Sequence, residues 1–218
     1  MAYQPQCGIS AEPSSHLPTR HELERAPTIQ SGNAEEMDSP DHTHFAAIPW
    51  CTGHLGGDRV IVKVPFSRTI KASGEDNLFA DTLNSERGIT HMLQVYEEPL
   101  SPTEIIKEVK TFVTLGSGLN GYADVCHGGL LMAILDEAMG QIVPINQDHG
   151  RIPPGTHMTA YLNMRFLKPV PTPATILVRA RLTKVEGRKT FLEGIVEDEI
   201  GAICGRAESL FVQLKSSL

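Results

Sequence analysis

Cysteine is scarce in this chain, clusters of positive charge are missing, and no uninterrupted apolar run is long enough to cross a bilayer; each shortage closes off a class of protein. Four cysteines, Cys7, Cys51, Cys126 and Cys204, are scattered through 218 residues without the paired spacing of a zinc site or a disulfide framework. Free thiols in a reducing compartment are therefore expected. The formal net charge is -7, with no Lys/Arg cluster to offset it, which speaks against a nucleic-acid-binding surface. The N-terminus also lacks the basic-then-apolar pattern of a secretory leader. Together these point to an intracellular, cytoplasmic protein without a membrane partner. A mitochondrial or peroxisomal address stays open, the C-terminal Ser-Ser-Leu matching a peroxisomal Ser-Lys-Leu only in part.

The length suits one well-filled domain with extensions. Residues 1–43 are rich in Pro, Ser, Glu, His and Thr without helical or strand periodicity and are expected to form a flexible tail. Residues 44–100 form an N-terminal extension and cap. Within it, Leu78, Phe79, Leu83, Ile89, Met92, Leu93 and Tyr96 predict one or two helices interrupted near Gly88. Residues 101–218 are the main domain. Val109, Thr111, Val113 and Leu115 alternate with Lys110, Phe112 and Thr114, a half-buried strand. Leu131, Ile134, Leu135, Ala138, Met139 and Ile142 then recur at three- and four-residue spacing, the stripe of a buried helix, which Pro144 and the loop 147–154 are expected to end. Strands follow over 159–168, 175–185, 190–198 and 202–214, joined by short turns that suit antiparallel neighbours. In the first of them Thr159 is expected to face away from Ala160 and Leu162. The fold class is α+β, one helix against one antiparallel sheet.

The chemistry concentrates between residues 116 and 140. Gly116, Gly118 and Gly121 spell a Gly-x-Gly-x-x-Gly, but residues 122–126 separate the last glycine from the helix. A dinucleotide fingerprint needs that glycine at the helix start, so a loop is the expected reading. His127-Gly128-Gly129 stands directly before the apolar helix. The first amides of a helix have no intrahelical acceptor and carry partial positive charge, so a polarised carbonyl oxygen is stabilised there. His127 is a general base, an organiser of the loop, or a helix cap. Cys126 is a rival nucleophile with His127 as its base.

Asp136 is a surface acid or a buried catalytic one, and Glu137 beside it is equally a candidate for the solvated partner. At ~1.5 Å per residue Asp136 lies about 12 Å along the helix from Gly128, too far to act on a carbonyl held there. Cooperation between the two requires a second copy of the helix running antiparallel, an isologous dimer with two composite sites. Thr159 is an ordinary strand threonine or a holder of water or of the carboxylate. Arg165, Lys168, Arg188 and Lys189 are solvated strand-end charges or phosphate contacts.

Three segments in this order resemble the hotdog-fold thioesterases, in particular the phenylacetate-degradation-type branch and the proteins similar to thioesterase superfamily member 4. They are Asp124-Val-Cys-His-Gly-Gly-Leu-Leu-Met-Ala-Ile-Leu-Asp-Glu-Ala-Met-Gly140, Met158-Thr-Ala-Tyr-Leu-Asn-Met-Arg-Phe-Leu-Lys-Pro-Val-Pro171 and Lys184-Val-Glu-Gly-Arg-Lys189. The likeness covers about residues 76–215, and Phe79-Ala-Asp-Thr-Leu-Asn84 resembles the cap of fungal members.

The resemblance implies an antiparallel sheet wrapped around one long central helix, working as a homodimer or homotetramer. It also implies hydrolysis of an acyl-CoA or acyl-carrier thioester, with coenzyme A as part of the substrate and no metal or other cofactor. Gly128, with Gly129, would polarise the carbonyl, and Asp136 of the partner subunit would activate water or attack. Thr159 would assist that water, Asn120 and His127 would shape the loop, and Glu137, Arg188 and Lys189 would contact substrate. The alternatives are a hotdog dehydratase or hydratase, a polyketide-processing thioesterase, and a non-catalytic acyl-binding dimer.

Overall fold

A computed structural model describes residues 39–215. Of the expected tail, residues 1–38 lie outside that range, while 39–43 are ordered as the start of a helix. Helix α1, Pro40–Ala46, begins where the Ser39 side chain accepts from His42 N, and a proline stands at its first turn, where a missing N–H costs nothing. Helix α2, Pro49–Thr52, follows. The strands are β1 Val60–Lys63, β2 Ile89–Glu97, β3 Glu108–Leu115, β4 Asn120–Tyr122, β5 Val125–Cys126, β6 His157–Phe166, β7 Ala174–Glu186, β8 Lys189–Glu197 and β9 Ile203–Gln213. Between β5 and β6 run helices α3, Gly128–Gly140, and α4, Ile142–Asp148.

Seven strands make one antiparallel sheet in the order β1-β2-β3-β7-β8-β9-β6, and β4-β5 is a separate small ribbon. The α3 stripe read from sequence is buried throughout and packs with the inner faces of β2, β3, β7, β8 and β9 in one core. At Gly194 an added Cβ would stand 2.7 Å from Leu135 Cδ2, so the absence of a side chain there lets helix and sheet approach. This is the expected hotdog arrangement. The two short turns join β7 to β8 and β8 to β9. The first strand after the helices, β6, does not join β7 but closes the far edge beside β9.

Three local expectations are corrected. Residues 89–97 are a strand, not a helix, and a single π-helical turn at Leu78–Thr82 is the only helix in the 76–97 segment. Both faces of β2 are covered: Met92 and Tyr96 face the α3 core, and Leu93 and Val95 pack with Phe45, Cys51, Phe112 and Leu177 on the outer face. A strand buried on two sides carries apolar residues at consecutive positions and imitates helical spacing. Pro144 does not end the helical run, because it falls in the first turn of α4, where proline is tolerated. The run Gly128–Asp148, 21 residues with mean hydropathy 1.3, does have the length and composition of a bilayer span. Half of it is buried within the protein, and its role as core helix accounts for that hydropathy. Asn146 anchors its far end, exchanging hydrogen bonds with Ile106 N (2.8 Å) and Ile106 O (3.0 Å).

The extension is built into the sheet through β1 and β2, which pairs with β3 over Ile89–Val95. Its outer layer hangs on α1, whose Phe45 is fully buried, a contribution of roughly 1.5–3 kcal/mol, and whose Asp41 accepts from Met92 N at 2.8 Å. His44 stacks on His91 at 3.8 Å between ring centroids, with its Nε2 on Thr114 Oγ1 at 2.8 Å. Burial and then the neighbouring His91 hold the His44 pKa below its ordinary value, while Asp41 pulls it up.

A histidine with a depressed folded pKa contributes stability that is fully present above the ordinary value of about 6.5 and is lost as pH falls from there through the folded pKa. Acidification from pH 7.5 to 5.5 is therefore expected to loosen α1 first, read as faster amide exchange across residues 40–46. His44→Gln is expected to flatten that pH dependence, and an unchanged slope would count against it.

Candidate active site

The loop before α3 is pinned on both sides. Cys126 N donates to Val170 O and His127 N to Leu119 O, each at 2.9 Å, and Thr172 N donates to Asp124 O at 3.1 Å. Asn120 lies opposite Cys126 in the β4-β5 ribbon, and its side-chain oxygen accepts from the Thr172 hydroxyl. At each of the three motif glycines the direction of a side chain is blocked by neighbouring atoms. An added Cβ at Gly116 or Gly118 would stand 2.6 Å from Arg87 backbone atoms, and one at Gly121 would stand 3.0 Å from His127 Cα. The amides of Gly116 and Gly118 already donate to Gly88 O and Arg87 O. Close packing, not phosphate, explains these glycines.

His127 is the N-cap of α3. Its Nδ1 accepts from Gly129 N at 3.0 Å, which places the ring proton on Nε2 and leaves an N–H donor facing outward. Gly129 N–H is thereby taken. Gly128 N–H has no acceptor among the described residues, so it is the free donor at the helix start. The Phe166 ring lies over this residue: a Cβ on Gly128 would meet Phe166 Cε1 and Cζ at 3.2 Å.

Asp136 is half-buried, and its Oδ1 accepts from Thr159 Oγ1 at 2.8 Å. Burial raises its pKa above the usual carboxylate range, and the Thr159 bond partly offsets the rise. Thr159 reaches it because of a β-bulge. The register runs Thr159↔Phe211 but Tyr161↔Leu210 and Leu162↔Ser209, so Ala160 is an extra residue. Thr159 and Leu162 therefore share the inner face with Phe211 and Ser209, which corrects the expectation from simple alternation.

Glu137 is not a solvated partner. It is hydrogen-bonded to Gln141 and faced by the buried Ser67 hydroxyl, and burial raises its pKa, with Asp76 and Asp136 adding to the rise. Its environment is this chain's own cap. Lys189 lies opposite Val212 on β9, and Val212 lies opposite Met158 on β6. Lys189 is thus two strands, roughly 10 Å, from the Thr159 end of β6. Arg188 donates to Gln213 O at 2.8 Å. The structure therefore joins Asp136 to Thr159, and His127 to Gly128 and Gly129. It does not bring these two groups together within one chain.

Cys126 is 5% exposed, and burial pushes its thiol up to about 11, far from a nucleophilic thiolate at neutral pH. Cys51 and Cys204 are free and buried too, while Cys7 lies outside the described residues. Cys126→Ala is expected to keep at least half of the wild-type kcat; loss of nearly all turnover in a folded variant would restore the thiol as nucleophile. Among the described residues no group of three or more His, Cys, Asp or Glu is placed to hold a metal ion.

Residues 123–204 match the family model described as thioesterase superfamily. Over this segment the chain is similar to the thioesterase superfamily.

The matched thioesterase segment contains His127, Gly128, Asp136 and Thr159. Verlamelin biosynthesis protein B of Lecanicillium sp is 26% identical over 206 residues, 80% of this chain and 87% of that protein. The acyl-coenzyme A thioesterase THEM4 of Bos taurus is 32% identical over 100 residues, 45% of this chain and 38% of that protein. The chain thus spans less than half the length of the THEM4 relatives it matches, 49% for the Mus musculus protein. Among solved structures, the BH2602 protein from Bacillus halodurans with CoA is 25% identical with a TM-score of 0.42, covering 50% of this chain and 68% of that one.

The sequence alone did not reveal three parts of the candidate site: Phe166 over Gly128, Thr172 on Asn120, and the Ser67–Gln141 surroundings of Glu137. Nothing local signals which helix residue Phe166 meets.

Proposed function

We propose that this protein hydrolyses acyl thioesters, acyl-CoA foremost, at two composite sites of a homodimer. The observation that carries the reading is the pairing on one helix of an unpartnered Gly128 amide with a half-buried, Thr159-bonded Asp136, about 12 Å apart along the axis. Each lacks the other's function, and a second copy supplies it.

The edge of the sheet favours that partner. Strand β6 exposes Met158 by 56%, Tyr161 by 41% and Phe166 by 53%, and its outer backbone groups have no neighbouring strand among the described residues. Antiparallel pairing of β6 with the same strand of a second copy lays the Phe166–Gly128 end of one subunit against the Thr159–Asp136 end of the other. Two equivalent sites result.

In each, the thioester carbonyl oxygen accepts from Gly128 N–H, with the helix dipole behind it. Asp136 of the other subunit removes a proton from water, held by the Thr159 hydroxyl, as the water oxygen attacks the carbonyl carbon. The carbon–sulfur bond then breaks, and the acid form of Asp136 returns its proton to the departing thiolate. A carboxylate whose pKa is raised by burial is a better base near neutral pH than a solvated one. Gly129 drops out of the donor set because its amide serves the His127 cap, while His127 Nε2–H and the Asn120 amide border the carbonyl. Arg188 and Lys189 meet the coenzyme A phosphates as mobile cations, and Glu137 holds the cap segment beside the site. An intracellular homodimer without a resident cofactor fits this chemistry.

The test is thiol release from a panel of short, long, aromatic and polyketide-like acyl-CoAs, with Asp136→Asn as control. Hydrolysis by the wild type that the variant has lost supports the reading. No release from any substrate, or equal release by both, would remove it.

A further inference from the structure

We infer that Phe166 selects substrates by the shape of the acyl α-carbon; this rests on the thioester reading above. Phe166 ends the edge strand β6, and its cross-strand neighbour is Gly205, which offers no side chain for the ring to rest on. The ring instead leans onto the start of α3. Its Cε1 and Cζ lie 3.2 Å from where a Gly128 Cβ would stand, close enough that any side chain there would have to displace it. Yet the residue remains 53% exposed. An exposed phenyl ring in van der Waals contact with a helix start whose amide has no partner makes a wall beside the position where a carbonyl oxygen would bind.

A carbonyl oxygen on Gly128 N–H sits about 3 Å from the nitrogen, so the carbonyl carbon and its two substituents pass within reach of the ring. A straight chain presents a CH2 group at the α-carbon and slides past a flat aromatic face. A branched or aryl α-carbon puts additional carbons where the ring stands, and moving the ring further aside costs binding energy that a straight chain keeps. The site therefore prefers unbranched acyl groups, and Phe166 is the residue responsible.

The experiment compares butyryl-CoA with isobutyryl-CoA and pivaloyl-CoA, using the full-length wild type, Phe166→Ala and Phe166→Leu, with dimer mass and melting temperature measured for each. The ratio of kcat/KM for branched over straight substrate is expected to rise at least tenfold in Phe166→Ala and by an intermediate amount in Phe166→Leu, which keeps apolar bulk at the dimer edge. A discrimination change of tenfold lies within what a few methylene-sized contacts supply. Ratios within twofold of wild type in both variants overturn the inference, as does an equal fall for all three substrates, which would mark Phe166 as a structural contact only. If Phe166→Ala does not form a dimer, the Phe166→Leu ratio decides. The thioester reading fails separately, by a wild type that hydrolyses none of the three.

Discussion

Gly128→Pro is expected to lower kcat by about 100- to 1,000-fold, the cost of losing one oxyanion donor, while leaving the protein folded. Gly128 is the first residue of α3, the position at which proline is most readily accepted in a helix, because its N–H would be unsatisfied in any case. The preceding residue must be extended, and His127 is, with φ -63° and ψ 129°. The substitution thus deletes one hydrogen-bond donor and disturbs little else. Its added carbon meets the Phe166 ring at 3.2 Å, and a half-exposed side chain can shift by the few tenths of an ångström required. Gly128→Ala is the control for the Cβ: it adds that carbon without the proline Cγ and Cδ, keeps the N–H, and is expected to lose far less activity. Parallel steady-state kinetics and melting curves check both. If the proline variant is as active as the alanine variant, Gly128 N–H does not hold the oxyanion.

Loss of the Asp136 carboxylate is expected to be as severe. Asp136→Ala should lower kcat by roughly 100- to 10,000-fold, the range of general-base catalysis, without unfolding the dimer. Its effect on stability has the opposite sign. Burial raises the folded-state pKa of Asp136, so the folded form binds the proton more tightly than the unfolded chain does. Ionisation then costs stability as pH rises from the unfolded value of about 3.9 through the folded one. Asp136→Asn, nearly isosteric and neutral, should therefore melt no lower than wild type at pH 7, an advantage that disappears below about pH 4. A dead enzyme that melts at or above the wild-type temperature marks the residue as functional, not structural.

The two substitutions together test the division of the site between subunits. Asp136→Ala and Gly128→Pro chains, each nearly inactive alone, should recover about a quarter of wild-type activity when unfolded and refolded as an equal mixture. Half of randomly paired dimers are mixed, and each mixed dimer has one site with both an intact Gly128 and an intact Asp136. No recovery from a mixture shown to contain mixed dimers would place both groups of each site in one chain, or rule out their cooperation.

Local pattern carried much of this protein. The stripe Leu131 to Ile142 needed only its own 3.6-residue period to be recognised, because one side of α3 faces the sheet. Strand β3 announced itself by alternation, β7, β8 and β9 by the short turns between them, and His127-Gly128-Gly129 by being polar and flexible where an apolar helix begins. Asp136 stood out as an acid on that helix, and the rise per residue was enough to show that it cannot serve its own Gly128.

What the sequence could not reveal is whatever depends on a second element. Strand β2 imitates a helix because α1 and α2 cover the face that would otherwise be wet. Thr159 turns toward Asp136 only because Ala160 is squeezed out of the ladder with β9, and a one-residue bulge inverts every face assignment beyond it. Glu137 and Asp136 look alike in sequence, yet one is enclosed by Ser67 and Gln141 and the other is held by Thr159. Periodicity records burial on one side of a single element, whereas register, enclosure and the meeting of Phe166 with Gly128 are set by chain segments far apart in sequence. The sequence by itself determined the core helix and the chemical groups it carries; only the tertiary structure decided which of those groups are free to act, because hydrogen-bond occupancy and burial are properties of neighbours.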